Sequence, residues 1–417
     1  MRRLCVLACA FSCCPPGKPG FSGGEDVLGW NILKQIARFH EVWALTYAEN
    51  RLSIEDALGE EPVPNIHFHY VDGPFGLRPL LRYQGGHQLY YHLWQIKAYF
   101  AARRLHKRCH FDLFHHITYA NDWMASFIGA LLPVPYVRGP GGGAQRIPKG
   151  LIAHSPLRGR LSEGLRGVGQ WLFRHDPFFV AGQSRARVLL VCNREALDAV
   201  PARWRQKCQL FPVNGVSTGD LETGSSMPRL GKGFRVLTAG KLLWLKGFGL
   251  ALEAFKEFGA RHPEAQLTIV GDGPELSRLS ELAKASGQET QVRFRKWMAR
   301  EELLAEMASC DVFLFPSLRD GGGAVVVEAM ALGRPVVCLD TAGPGIHVTE
   351  GSGIKVPPRS PEQTVHDLAK ALERLCLDEG LRLKLGKAAR DRAEQVYHWD
   401  RLGERLMGIY QHALSAG

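Results

Sequence analysis

The chain has 417 residues, 45% apolar and 22% charged, with 46 Gly and 24 Pro; this is a globular composition with room for two or three domains of about 150 residues. Glycine and proline stay below the share that marks collagen or disorder, and no apolar run approaches the roughly 18 residues of a membrane span, so fibrous, disordered and integral membrane classes are excluded. The net charge is +11, all of it in residues 1–215, which carry 26 Lys and Arg against 15 Asp and Glu, while residues 216–417 carry 26 against 26. The first half therefore faces an anionic membrane surface, polymer or phosphate, or simply presents a soluble basic surface.

Arg3 to Phe11 reads as a buried strand: its apolar stretch is too short for a secretion signal and runs into Pro15-Pro16-Gly17. A loop rich in Gly follows, then a helix from Val27 to Phe39. Strands are expected at Glu41–Thr46, Asn65–Val71 and Phe111–Ile117, a helix around Trp123–Leu131, and strands at Val134–Arg138, Val188–Cys192 and Cys208–Val213. Asn214-Gly215 is a turn, and Ser217–Lys232, poor in apolar residues, reads as a linker. A second alternation begins with a strand at Phe234–Ala239 and a helix at Leu250–Phe258. Strands at Gln266–Val270, Gln291–Phe294, Asp311–Phe315 and Pro335–Leu339 follow, with helices at Arg300–Ala308 and Ala324–Leu332. From Pro361 to Leu414 the pattern is helical. Strands alternating with helices make parallel sheets, so the expected fold is α/β: two Rossmann-like doubly wound domains, 1–215 and 216–395, facing across a cleft, with a final helix at 396–417. The ten Cys form no Cys-x-x-Cys pair or zinc spacing and several lie in apolar runs, which points to free thiols in a reducing, cytoplasmic compartment and to no metal site.

The strongest chemical signal is Asp320-Gly321-Gly322-Gly323-Ala324 between a strand and a helix. Glycines without Cβ atoms and a helix N-terminus make an anion site suited to a pyrophosphate. Asp320 and Glu328, eight positions apart, can both face that site and accept hydrogen bonds from sugar hydroxyls; the plain alternative is a helix cap and a solvated Glu. Lys241 and Lys246, after a strand and before a helix, can neutralise a leaving diphosphate. Gly17-Lys18-Pro19-Gly20-Phe21-Ser22-Gly23-Gly24 lies between the first strand and helix, but with its Lys before the glycines it is neither a P-loop nor Gly-x-Gly-x-x-Gly.

These residues resemble the retaining nucleotide-sugar glycosyltransferases of family 4, which have the GT-B fold, most densely from Phe234 to Pro357. The family's paired acids correspond to Asp320 and Glu328, its Lys and Arg to Lys246 and Lys241, and its Gly-x-Gly-Pro turn to Gly271-Asp272-Gly273-Pro274. Asn214-Gly215-Val216, the glycine loop Gly23-Gly24 and Arg138-Gly139-Pro140-Gly141-Gly142-Gly143 also correspond. The resemblance implies that Gly321, Gly322, Gly323, Ala324, Lys241 and Lys246 hold the diphosphate of a UDP- or GDP-sugar, Asp320 the sugar and Glu328 the ribose. Lys296 and Trp297 lie near the base, Gly23, Gly24 and Gly271 border the donor, and no metal is needed. Three positions depart from the family pattern: Asp320 is shorter than the usual Glu, Lys241 replaces Arg, and Gly322 replaces an aromatic.

His115 and His116, at a strand end, contact the transferred sugar or acceptor in one reading and are core histidines in the other. Leu89, Leu93, Trp94 and Phe100 precede Arg103-Arg104, and residues 146–207 hold twelve Lys and Arg against four acids, with Leu157, Leu161, Leu165 and Leu172 among them; basic residues with apolar ones at helical spacing suit an interfacial helix or a core helix with a solvated end. The expected protein moves sugar to a polysaccharide, glycan or lipid-linked acceptor, in the cytoplasm or on the cytoplasmic membrane face, and does not bind nucleic acid. The alternatives are a degenerate, non-catalytic binding module and a sugar-nucleotide epimerase.

Overall fold

The computed structural model describes residues 2–74, 76–82, 86–153, 156–226 and 233–415. The chain divides into two compact units, one of Met1–Ala144, Leu165–Asn214 and Trp399–Gly417, the other of Gln145–Gly164 and Gly215–His398. The sequence places all of 1–215 in the first domain; residues Gln145–Gly164 instead pack with the second unit.

The first unit has a seven-stranded parallel sheet of β1 (Cys5–Cys9), β2 (Glu41–Tyr47), β3 (Ile66–Val71), β4 (Leu113–His116), β5 (Tyr136–Gly141), β6 (Val188–Val191) and β7 (Cys208–Leu210), ordered β3-β2-β1-β4-β5-β6-β7. The second has six parallel strands, β8 (Arg235–Ala239), β9 (Gln266–Val270), β10 (Val292–Arg295), β11 (Val312–Phe315), β12 (Val336–Leu339) and β13 (Gly353–Val356), ordered β10-β9-β8-β11-β12-β13. Helices cover both faces, so every residue of β4, β6, β11 and β12 is buried, and all but His115 and His116 are apolar. In each sheet the order reverses beside the first strand, which opens a crevice at the carboxyl ends of β1 and β4, and of β8 and β11.

Two cores follow from helical spacing. In the second unit the helix Phe248–Gly259 buries Ala251, Phe255 and Phe258 completely, with Phe258 edge-on to Phe234 at 5.6 Å; each such ring contributes about 1.5–3 kcal/mol of burial. In the first, the final helix Trp399–Ser415 lays Trp399, Leu402, Leu406 and Tyr410 into the same core as Leu33 and Ile36 of the helix Gly24–Ala37.

The expected linker contains a helix, Thr218–Ser226, and the rest of it, 227–232, lies outside the described residues. That helix begins in a reciprocal cap: Ser217 N donates to Asp220 Oδ2 at 2.8 Å, and Asp220 N donates to Ser217 Oγ at 3.3 Å. The ten cysteines are all free thiols, and no described helix is long and apolar enough to cross a membrane.

Candidate functional site

The crevice between β8 and β11 is built from loops that only glycine allows. Gly271, after β9, has φ +153°, and a Cβ on it would stand 2.0 Å from the Gly240 carbonyl oxygen after β8. Leu242 N then donates to Asp272 O at 2.8 Å, locking the two strand-end loops together. Gly271 thus shapes the platform from which Lys241 and Lys246 extend. Lys241 is exposed.

After β11, Asp320 organises the glycine loop. Its Oδ1 accepts from Gly322 N at 3.2 Å and Gly323 N at 2.8 Å, and its Oδ2 accepts from Lys246 Nζ at 2.5 Å. The cap and the charged pair are therefore one arrangement, with the Lys246 and Asp320 side chains 22% and 16% exposed. Gly323 adopts the left-handed conformation, φ +61°, that starts the helix Ala324–Ala331. The amides of Ala324 and Val325 open that helix and have no helical carbonyl behind them, so they are directed at an incoming anion.

The loop is held from behind by His347, whose Nε2 donates to the Gly322 carbonyl while its Nδ1 accepts from the Tyr397 hydroxyl at 3.0 Å. Burial pushes this imidazole down to about 4 and keeps it neutral. Gly343 N adds a bond to Asp320 O at 3.1 Å.

About one turn into the helix, Glu328 is not solvated. Arg300 at the start of the helix Arg300–Ser309 reaches it at 2.9 Å and Asp220 at 2.7 Å, so one guanidinium lies between two carboxylates. Burial pushes the Glu328 carboxyl above its ordinary range, and the charge and hydrogen bond of Arg300 draw it part of the way back. Burial opposes ionisation of Asp220 as well, but its bonds to Arg300 and Ser217 outweigh this and hold it below the usual range. Neither Arg300 nor Asp220 stands out in the sequence; the Ser217-x-x-Asp220 cap is the one local signal.

Lys296 and Trp297 follow β10 and are exposed, Trp297 by 66%. They stand at the same carboxyl edge of the sheet as Lys241, Gly271 and Asp320. The structure thus gathers Lys246, Asp320, Gly321, Gly322, Gly323, Ala324 and Glu328 around one loop and helix, with Arg300, Asp220 and His347 behind them.

Gly23, Gly24, His115 and His116 belong to the first unit. Gly23 has φ +131°, and open space surrounds both glycines. Beside them, buried Asp26 accepts from Ser12 Oγ, Cys14 N, Ser22 N and Ser22 Oγ, which fixes the loop's course. The two histidines correct their sugar-contacting reading: both are completely buried. His115 Nε2 donates to Gly139 O at 2.7 Å and its Nδ1 accepts from the Tyr410 hydroxyl at 2.7 Å, while His116 Nε2 lies 2.6 Å from the Tyr91 hydroxyl. Burial pushes His115 down to about 4 and His116 well below its usual value, as core imidazoles require.

Residues 227–392 match the family model for glycosyl transferases group 1. The chain is similar, at 35% identity over 209 residues, to a D-inositol 3-phosphate glycosyltransferase of Corynebacterium jeikeium, covering 48% of this chain and 49% of that protein. It is 32% identical over 178 residues to an alpha-D-kanosaminyltransferase of Streptomyces kanamyceticus, covering 42% and 45%. The chain thus spans about half the length of the curated relatives it matches. Among solved structures, the whole chain is similar to a sucrose-phosphate synthase of Thermosynechococcus elongatus, with TM-score 0.66, 19% identity and full coverage of both chains. Anabaena HepE in complex with UDP and glucose gives TM-score 0.62 and 16% identity over 98% of this chain and 100% of that one. These likenesses show the GT-B fold of two Rossmann-like domains, and the stretch 227–392 is similar to the group 1 glycosyltransferases.

Proposed function

We propose that the chain is a group 1 glycosyltransferase that moves a sugar, with retention, from a nucleoside diphosphate donor to a glycan, polysaccharide or lipid-linked acceptor. The observation that carries this reading is the Lys246–Asp320–Gly322–Gly323 cluster at the strand-order reversal, with Glu328 about one turn into the helix that follows, all inside the family-matched stretch. The amides of Ala324 and Val325, with Lys241 and Lys246, would take the diphosphate and stabilise the charge that develops on it as the sugar leaves. In that role the lysines replace a divalent cation. Asp320, steadied by Lys246, would accept hydrogen bonds from the sugar, and Glu328, oriented by Arg300, from the two ribose hydroxyls. Trp297 offers its exposed face to the base. A uridine diphosphate donor is favoured by the HepE complex with UDP and glucose. The acceptor would be handled in the cytoplasm, at a membrane face toward which the basic first half is drawn.

The test is a panel of UDP- and GDP-sugars, read by ligand-observed NMR with EDTA present, on wild type and Glu328→Gln. Selective binding of one donor, weakened about 10–100-fold in the variant, supports the reading. Failure of every donor to bind, or a strict need for added metal, overturns it.

A further inference from the structure

The helix Leu157–Arg174 is turned inside out. A surface helix ordinarily lays its apolar stripe on the core and its charges in water. Here Leu157, Leu161, Leu165, Val168 and Leu172 recur every third or fourth position, and all are 58–74% exposed, as is Trp171 at 61%. The opposite face is polar and points inward. Arg166 Nη1 and Gln170 Nε2 both donate to the Gly143 carbonyl at 2.7 Å, and Arg174 Nε donates to the Asp122 carbonyl at 3.4 Å. A water-soluble surface gains nothing from this orientation, because the apolar arc stays hydrated while polar groups occupy the packed side.

From Leu165 on, the arc belongs to the first unit, and it does not stand alone there. Phe173, next on the helix, meets the rings of Trp123 at 5.5 Å and His92 at 6.2 Å. His92 lies on the helix Gly86–Cys109, which exposes Leu89, Ile96 and Phe100 by 45–57%. That stripe continues on the same face into exposed Arg103 and Lys107, with Arg104 beside them. Phe178, 42% exposed at the start of the helix Pro177–Arg185, packs on Phe127 at 4.9 Å. Exposed Arg158 and Arg160 flank the arc. In these two long helices the one carboxylate is Glu163, which is turned inward and paired with Arg319.

We infer that the first-unit stretch Leu165–Arg174 and the helix Gly86–Cys109 form a surface that lies in the interface of a membrane rich in anionic lipid. Aliphatic side chains and Trp171 enter the boundary of the acyl chains, and Arg and Lys meet the lipid phosphates. The charge selects this occupant: a second copy would bring the same cations face to face, whereas an anionic bilayer complements them. The surface rests on the transferase reading only for its purpose, which is to bring the enzyme to an acceptor carried in the membrane.

The experiment is co-sedimentation of the full chain with vesicles of phosphatidylcholine alone and with phosphatidylglycerol added, for wild type and the double variant Leu165→Glu, Trp171→Glu. Both positions are solvent-exposed, so circular dichroism should be unchanged. Wild type should pellet with the anionic vesicles at low salt and be released as salt rises, and the variant should bind at least about tenfold more weakly. No pelleting at low salt, equal binding of the variant, or equal binding to neutral vesicles overturns the proposal. So does a dimer in sedimentation velocity that the double variant dissolves while vesicles capture neither protein. Donor binding is measured on both proteins in the absence of vesicles: its loss in wild type would sink the transferase reading and leave the vesicle result standing.

Discussion

Arg300 decides what Glu328 can do. A buried carboxyl alone would hold its proton to higher pH, and the guanidinium at 2.9 Å opposes that rise by favouring the charged form. Removing the cation in Arg300→Ala should therefore raise the Glu328 carboxyl further, and donor affinity should fall toward acid pH more than it does in wild type, with partial recovery at higher pH. The expected loss is about tenfold or more, because a charge-assisted hydrogen bond is at stake; a titration of donor affinity against pH that parallels wild type would refute it. Arg300→Lys should restore the charge but not the fork between Glu328 and Asp220. At this scale the sequence shows Asp320, Glu328 and the lysines because they lie at strand ends and helix starts where phosphates are held. It hides Arg300 and Asp220, since a charge at a helix start ordinarily faces water and nothing in the spacing joins residues 80 positions apart. It leaves His115 open between a sugar-contacting and a core role, because a strand end suits either, and only the bonds of its two nitrogens to Gly139 and Tyr410 show it spent in the core.

The glycine loop works as an element because Gly323 is left-handed. Gly323→Ala should cost about 1 kcal/mol from φ alone, and its Cβ would press Pro344 Cγ at 3.2 Å. A fall of a few degrees in the melting of the second unit, with weaker donor binding, is the expected outcome; an unchanged melt would show that the loop relaxes freely. Most of the parallel strands were legible as apolar runs because helices bury both faces; β13 (Gly353–Val356), short and with Ile354 and Lys355 only partly buried, was not. The helix Thr218–Ser226 was not, since among its described side chains only Leu221 and the capping residue Asp220 are buried and the cap carries the start. For Leu157–Arg174 the spacing was legible but the direction of the stripe was not: periodicity says which residues share a face, and only the partners of Arg166 and Gln170 say which face is inside.

For the whole molecule, acid should be the weak side. The folded chain keeps His115 and His347 at about 4 against an ordinary 6.5, so between those values the unfolded chain binds protons that the folded one does not. Stability is then full above about pH 6.5 and declines toward pH 4, by about 3 kcal/mol for each ring at the acid end. Urea midpoints at pH 7.5 and pH 5 check this, and equal values would refute it. Deleting the helix Trp399–Ser415 should open the first unit's core where Trp399, Leu402, Leu406 and Tyr410 sit. The first unit should then melt early while the second, which ends at His398, keeps its transition; a single unshifted melt would refute that. The same helix bears on how the protein is made. The first unit precedes the second along the chain but receives part of its core from Trp399–Ser415, which follows the second, so a nascent chain must leave that core open while the ribosome completes the second unit. In a cell the second unit can close first, and the first unit's sheet waits, with its apolar face against helix Gly24–Ala37 incomplete, for whatever holds nascent chains until Trp399–Ser415 emerges.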